Sequence, residues 1–390
     1  MNAINSLKEV RNHSELGINL EKEKDKQFQK LNNKYDKILN KKIKRKNSKI
    51  KYTKNDFNFN DNINFLKNIT NDSYADYSLN NSFTVFKSIE EIEFLIYSNK
   101  KKSIISIKLI DNKIINEIKS AHKSYITNLR HYFDKNKNMD LILSVSGDVN
   151  NIKIWNFHNL ECLINIEKIY EEGKIFSACL LNEKNINYII ASNFNLHGKS
   201  EFIKVFDFNK NKIKELKDSN YKTYFIDSFF DNNNINYIIT GNKSFVTSYN
   251  FIEDKIYHKY QDYNNKDSHS HIIINNINEV LELIESSFDG NIRIWNFHSG
   301  ELIKRIKVSQ DWLFSICLFN NDYLIVGCGD KNIKLIDIKK EKVIKNLKGH
   351  NNHIICIKKI NLRNNENYIL SQGLINDQIK LWIINEPLFN

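Results

Sequence analysis

Two groups of residues in this chain combine a histidine, a serine and an aspartate, the side chains from which serine nucleophiles are built. They are His122, Ser146 and Asp148, followed by Trp155, and His350, Ser371 and Asp377, followed by Trp382. A serine hydroxyl attacks only when a histidine takes its proton and an acid orients that ring. Neither group comes with the Gly-x-Ser-x-Gly turn that exposes such a serine. The chain also lacks a Gly-x-x-x-x-Gly-Lys-Ser/Thr phosphate loop and a His-Glu-x-x-His zinc helix. The pair His269 and His271 has no third ligand at metal spacing. Five cysteines, Cys162, Cys179, Cys317, Cys328 and Cys356, are odd in number and show no Cys-x-x-Cys spacing. They read as small buried side chains of a reducing compartment and not as a disulfide framework or a zinc site. Neither a cofactor, a metal nor an enzymatic activity is expected.

The elements that must position these residues recur. The clearest copy runs from Phe288 to Ile306. Asp289-Gly290-Asn291 is turn chemistry, Ile292 to Phe297 alternates at strand period, His298-Ser299-Gly300 is a second turn, and Leu302 to Ile306 is a second strand. An isolated pair of strands is marginal in water, so it needs neighbours. Sliding this pattern along the chain, anchored on Trp295, recovers it at Ile110, Trp155, Phe206, Tyr249, Ile336 and Trp382, with successive anchors 41 to 51 residues apart. Most anchors are followed by Asp or Asn, as in Trp155-Asn156, Phe206-Asp207, Tyr249-Asn250 and Trp295-Asn296.

With this period and these anchors the chain resembles the WD40 repeat proteins, whose units of roughly 40–45 residues each form one four-stranded propeller blade. The stretch from Gly349-His350 to Leu381-Trp382 looks like one family repeat, and the resemblance covers about residues 82–384. It implies an all-β, seven-bladed propeller. The blades would run from Phe83 to Ile118, Tyr125 to Ile166, Lys174 to Leu216, Tyr224 to Tyr260, His271 to Val308, Trp312 to Leu347, and Ile354 to Ile384. The last lacks an outer strand, so a segment of about 62–69 is expected to pair there and close the ring, as the family commonly does. The resemblance also gives His122, Asp148, Trp155, Asp289, Trp295, Asp330, His350 and Trp382 a structural role. The turn aspartate would hold the histidine, which bonds the serine and the indole N–H. Asp148 lies seven residues before its tryptophan and Asp377 five, whereas Asp289 and Asp330 lie six before their anchors, so blades two and seven depart from that spacing. The phosphoinositide-binding propellers carry an Arg-Arg pair; the six arginines here include no adjacent two.

Net charge is +12, and residues 21–54 hold fourteen Lys or Arg against four acids, a net of +10. The chain thus divides into a basic arm, 1–56, and a nearly balanced propeller, 57–390. Phe28, Leu31, Tyr35 and Ile38 make a short helix stripe in the arm. Lys41, Lys42, Lys44, Arg45 and Lys46, continuing to Lys49 and Lys51, resemble a nuclear import signal; the same charge fits nucleic acid or a lysine-rich linker. No apolar run is long enough to span a membrane. The expected setting is intracellular, cytoplasmic or nuclear. Only 11 Gly and 1 Pro are available for the turns, and Asn runs such as Asp231 to Asn234 and Asn320 to Asp322 replace them.

A row of residues leads into the innermost strands: Phe83, Tyr125, Lys174, Tyr224, His271, Trp312 and His353. These positions would ring one mouth of the central channel. Aromatic rings and histidines there read as contact residues for a partner or as lids over the blade ends, with Tyr125, Tyr224, His271, Trp312 and His353 as the partner-binding rim. The sequence reading is a monomeric, non-enzymatic scaffold that binds proteins or peptides. The alternative is a nuclear or RNA-associated factor whose arm binds nucleic acid.

Overall fold

In the computed structural model of the chain, residues 63–70, 72–75, 81–195, 200–217, 219–262, 268–277, 279–361, 367–375 and 377–384 are described. The arm, 1–56, lies outside these residues, and so do its helix stripe and its basic run. The described chain forms seven antiparallel sheets of four strands. Blade five is representative, with strands His269–Ile277, Val280–Ser287, Asn291–Asn296 and Leu302–Lys307 in chain order from channel to rim. Its second turn begins at Phe297 and holds Gly300 at φ 73°. The other innermost strands are Phe83–Lys87, Asn128–Asp134, Lys174–Glu183, Thr223–Phe230, Leu313–Asn320 and Ile354–Asn361, and consecutive ones touch around the ring. In the seventh sheet the outermost strand comes from the start of the described chain. Ile63–Asn68 pairs antiparallel with Ile379–Ile384 and sets Phe65 opposite Trp382.

Seven apolar clusters hold this ring, and each is shared by two neighbouring blades. Leu283, Trp295 and Phe297 of blade five meet Phe225, Tyr237 and Tyr260 of blade four. On the opposite face Ile284, Ile292 and Ile294 meet Leu313, Leu324 and Ile336 of blade six. Strand alternation supplies both sets, because successive side chains point to opposite faces of a sheet. The repeat anchor therefore has a fixed duty, to pack on the preceding blade. Trp155 joins blade one, Phe206 blade two, Tyr249 blade three, Ile336 blade five and Trp382 blade six.

Blade one corrects the sequence reading. Its position equivalent to the anchors is Ile107, which faces Leu95 across the strands as Trp295 faces Leu283. Ile110 lies beyond that strand in the turn and is 48% exposed. Five apolar residues between Ile104 and Ile110, with no tryptophan among them, leave the register unmarked. The turns also differ from expectation in part. Asn112, Asn138, Asn150, Asn185 and Asn234 take positive φ, but so do Lys102, Lys168, Lys184, Lys210 and Lys331, and none of Asn320 to Asp322 does.

Closure joins sheet seven to the rest through Leu66 and Ile69, which pack with Tyr97, Leu109, Cys356 and Leu381. Burying a large aliphatic side chain contributes roughly 2 kcal/mol, and the exposed strand edge left behind adds unpaired backbone groups. Deleting residues 63–70 should therefore lower the thermal midpoint of the whole chain sharply, while deleting 1–50 should leave it unchanged. Matched calorimetric scans of the two deletions check this.

Candidate functional site

The two Ser-His-Asp groups are internal. In blade seven His350 Nδ1 lies 3.0 Å from Asp377 Oδ2, and Ser371 Oγ lies 2.6 Å from His350 Nε2 and 2.7 Å from Trp382 Nε1. The carboxylate can only accept, so Nδ1 carries the proton and Nε2 accepts the serine O–H, while Ser371 Oγ accepts from the indole. Ser371 is 0% exposed and its hydroxyl proton is already given to the histidine. No substrate reaches it. Two glycines make room for this arrangement: a Cβ on Gly349 would stand 2.7 Å from the Trp382 ring, and one on Gly373 would stand 2.3 Å from Asp377 Oδ2. Burial alone would raise the Asp377 carboxyl, but the bond and charge of His350, the Asn351 N–H and Lys380 pull it down to about 2. Burial likewise lowers His350, with Asp377 opposing.

Blade two carries the histidine, serine and indole part of this chain with a different serine. His122 Nε2 is 2.7 Å from Ser144 Oγ, which accepts from Trp155 Nε1 at 2.8 Å. Ser146 points the same way along the strand but stands one pleat too far from the indole. Burial, helped by Lys153, pushes His122 down to about 3, so the ring is neutral. The Asp148 side chain lies outside the described residues.

Blade five replaces this network with charge. The position of Ser371 is taken by Glu285 and that of Lys380 by Arg293, as the register requires: Ser371 faces Lys380 and Glu285 faces Arg293. Arg293 is buried and donates to Asp262 Oδ2 at 2.7 Å and to Asp289, while Glu285 pairs with His269. Trp295 Nε1 has no partner among the described residues. In blade six Asp330 pairs with Lys334 at 2.7 Å and accepts from Ser309 Oγ at 3.5 Å, with no histidine among its described partners. Asp289 and Asp330 thus hold a cation of the third strand, not a histidine. A basic residue two positions before the anchor recurs as Lys153, Lys204, Arg293, Lys334 and Lys380. Lys153, Lys204 and Lys380 donate to linker carbonyls of Ala121, Ile169 and Gly349. That column was visible in the sequence at constant offset from the anchors. Sequence reasoning passed over it because surface lysines are abundant in this chain.

The channel mouth at the leading ends of the innermost strands gathers most of the predicted row, but Tyr224 lies inside the strand Thr223–Phe230 at the position of Phe314, and two further members leave the mouth. Phe83 is fully buried, and His271, at 5% exposure, lies inside blade five, where Nδ1 accepts the Ile316 N–H at 3.0 Å. Burial holds His271 well below its usual range, in keeping with a neutral acceptor. The residue that leads into blade five is Ser268, whose carbonyl accepts the Phe288 N–H as that of Trp312 accepts the Gly329 N–H. The His-Ser-His run misplaced the register by three.

Tyr224, Trp312 and His353 belong to a run of touching rings. Phe176 lies 5.0 Å from Phe194, Phe194 5.1 Å from Tyr224, and Tyr224 6.0 Å from Phe288. Phe288 stacks on Trp312 at 5.0 Å, and Phe314 stands 5.9 Å from Trp312 and 5.7 Å from His353. The run crosses blades three to seven, and beneath it Phe314, Ile355, Leu374 and Ala75 pack into one buried cluster. The strands aim these side chains by bulging: register shifts follow Ile175, Thr223, Leu313 and Ile354, just where Phe176, Tyr224, Phe314 and Ile355 sit. A bulge inserts a residue and turns its side chain out of the regular alternation. Phe176 and Phe314 were missed for that reason, since period-2 reading assigns them to blade faces, while Phe194 ends its strand and Phe288 stands in the turn beyond Ser287. Tyr125 stands apart, stacked on Tyr74 at 4.4 Å with Lys102 above the ring, and Lys174 is exposed.

Sheets, anchors and mouth together define a seven-bladed β-propeller. No family model matches the chain. A stretch of 83 residues, 21% of this chain and 9% of the relative, is 29% identical to the U3 small nucleolar RNA-associated protein 21 homolog of Schizosaccharomyces pombe (strain 972 / ATCC 24843). The chain thus spans less than a tenth of that protein's length. Among the described residues no group of three or more His, Cys, Asp or Glu is placed to hold a metal ion, and no helix is long and apolar enough to cross a membrane.

Two outcomes follow from the networks. Ser371→Ala leaves His350 Nε2 and the Trp382 indole unpaired and should cost about 1–3 kcal/mol, whereas Arg293→Met leaves buried carboxylates unpaired and should cost about 3–5 kcal/mol. Denaturant titrations of both variants measure the difference. Asp377 has a depressed folded value, so its contribution is present above the ordinary 3.8 and disappears as pH falls through about 2. Asp377→Asn should be less stable near neutrality and should flatten the stability profile across that acid window.

Proposed function

We propose that the protein is a non-enzymatic scaffold that binds other proteins at the channel mouth of its propeller. The observation that carries this reading is Trp312. It is 50% exposed, leads directly into the innermost strand of blade six, and has one ring face on Phe288. Leu313 and Phe314 already seal the strand beneath it. Large aromatic side chains presented this way are the usual anchors of protein interfaces, because they bury much area at little entropic cost. Tyr224 and His353 extend the surface on either side, and the apolar floor of Phe314, Ile355, Leu374 and Ala75 under them is buried. The setting we infer is intracellular, in the cytoplasm or the nucleus.

A second reading draws on two observations, the basic run from Lys41 to Lys51 and the partial likeness to a protein described as RNA-associated. In it the arm binds RNA and the propeller selects protein partners. Replacing Lys41, Lys42, Lys44, Arg45 and Lys46 by Gln should then abolish binding that falls steeply with salt, as counterions return to the phosphates. Binding of a labelled RNA to both chains at two salt concentrations tests it.

For the mouth, Trp312→Ala should lower partner binding by about 2 kcal/mol or more. Folding stability should fall by only about 1 kcal/mol, the worth of one exposed aromatic stack. Affinity capture with the intact and mutant chains, with unfolding measured on the same samples, checks both numbers. Equal retention of the same proteins by the two chains would overturn the mouth as the binding site.

A further inference from the structure

One half of the mouth already holds an extended peptide, and that peptide is part of this chain. After the closing strand, residues 69–70 and 72–75 lie over the end of the propeller. The Ile69 N–H donates to Ile379 O at 2.8 Å, and Thr70 Oγ1 accepts the Ile379 N–H at 3.0 Å. Asp72 accepts from Tyr97 Oη and from Asn99 Nδ2, and Ser73 bridges Asn99. Next, the Tyr74 N–H donates to Ser98 O, and Ala75 O accepts the Ile375 N–H, both at 2.9 Å. The Tyr74 ring lies flat on Tyr125, and Ala75, 1% exposed, drops into the central cluster beside Phe314, Ile355 and Leu374. The segment therefore uses three contacts: main-chain bonds to the turns of blades one and seven, a ring laid on the residue leading into blade two, and a small side chain in the central depression.

Blade six offers the same platform without its cover. Trp312 occupies in blade six the place of Tyr125 in blade two, yet its ring contacts are Phe288 stacked on one face and Phe314 at an edge. No described ring covers the other face. The charge beside it is also unspent: Asp311 is exposed and forms no ion pair among the described residues, while Asp289 and Asp330 are held by Arg293 and Lys334. A carboxylate next to the platform repels a phosphate backbone and attracts a cation. This favours a peptide over a nucleic-acid strand.

We propose that the mouth over blades three to six receives an extended peptide that lays an aromatic side chain on the free face of Trp312 and a neighbouring Lys or Arg against Asp311. This inference rests on the protein-binding reading above and names its partner class. Main-chain contacts of the kind made by Tyr74 and Ala75 hold such a segment extended, and the ring supplies the anchor. The crossing segment blocks blades seven, one and two, so the partner's segment lies on the remaining sector.

The test is selection of a phage-displayed library of unstructured linear peptides on the full-length chain, followed by binding of the synthesised winners. The expected winners carry Trp, Tyr or Phe beside Lys or Arg. Their affinity should fall roughly thirtyfold with Trp312→Ala, which corresponds to a hot-spot loss of about 2 kcal/mol. It should fall severalfold with Asp311→Asn, and should be unchanged by Ile303→Ala, an apolar side chain exposed on the outer strand of blade five. Trp312→Phe keeps a ring and should retain most of the binding, which separates loss of the platform from loss of the fold. Winners without an aromatic residue, or winners bound equally by Trp312→Ala, would overturn the proposal. So would Trp312-dependent binding of a labelled single-stranded oligonucleotide in place of peptides. If captured proteins depend on Trp312 while no aromatic peptide is selected, only this inference fails and the scaffold reading stands.

Discussion

Every sheet in this molecule depends on its neighbours, because the apolar clusters lie between blades and none lies within one. A four-stranded sheet has two faces and, with alternating side chains, exposes an apolar row on each. Only a ring gives each face a partner, and only a closed ring gives partners to the first and last. Closure is thus the constraint from which the rest follows. The contacts of Leu66 and Ile69 with blades one and seven, and the pairing of Ile63–Asn68 with Ile379–Ile384, supply what two sheets would otherwise lack. Burial at one interface is of little use if the next stands open, so stability is shared around the circle and not stored blade by blade.

Within that frame, one register position is solved in different ways. Two residues before each anchor, the third strand places a side chain under the linker from the preceding blade. A lysine there reaches a linker carbonyl in blades two, three and seven. In blade five an arginine replaces it, and a five-donor guanidinium cannot be satisfied by one carbonyl. Asp262, Asp289 and Glu285 gather around Arg293, and Glu285 then stands where serine stands in blades two and seven. The Ser-His-Asp groups are one version of this packing problem. Where the cation is lysine and the cross-strand partner serine, the indole, hydroxyl and imidazole close a neutral chain. Where the cation is arginine, acids take over and the indole of Trp295 is left unpaired.

The architecture was legible in the sequence because its cause is local and repeated. A bulky anchor every 41 to 51 residues is the visible part of seven identical packing duties. Errors fell where local pattern does not carry the register. In blade one Ile107 does the work read onto Ile110, since several aliphatic residues fit the same alternation. In blade two Ser144 and Ser146 share a face, and only the distance to the Trp155 indole selects one. In blade five the His269-Ser270-His271 run hides the lead residue Ser268. Of the mouth, Trp312 and His353 could be read as a row because they directly precede their strands, and Tyr224 entered it although it sits at a bulge inside Thr223–Phe230. Phe176, Phe194, Phe288 and Phe314 could not, because their convergence depends on bulges and on curvature around the axis, which sequence spacing does not record.

Those bulges connect the fold to its surface. A regular strand would send Phe176, Tyr224 and Phe314 into the interfaces between blades, where the seven clusters are already filled. Overfilling a packed interior is itself destabilising, typically by about 1–3 kcal/mol. The inserted residue instead turns these side chains toward the axis, where seven strands converge and the space between them narrows to an apolar floor. The floor needs a cover on the solvent side. Over blades seven, one and two the crossing segment provides it, with Ala75 buried and Tyr74 stacked. Over blade six the cover is Trp312 itself, an indole too large to be sealed from both sides by the blade that carries it. The same geometry that relieves crowding in the interfaces therefore leaves an aromatic face open at the mouth, and its exposure comes from how the ring is packed before any partner is considered.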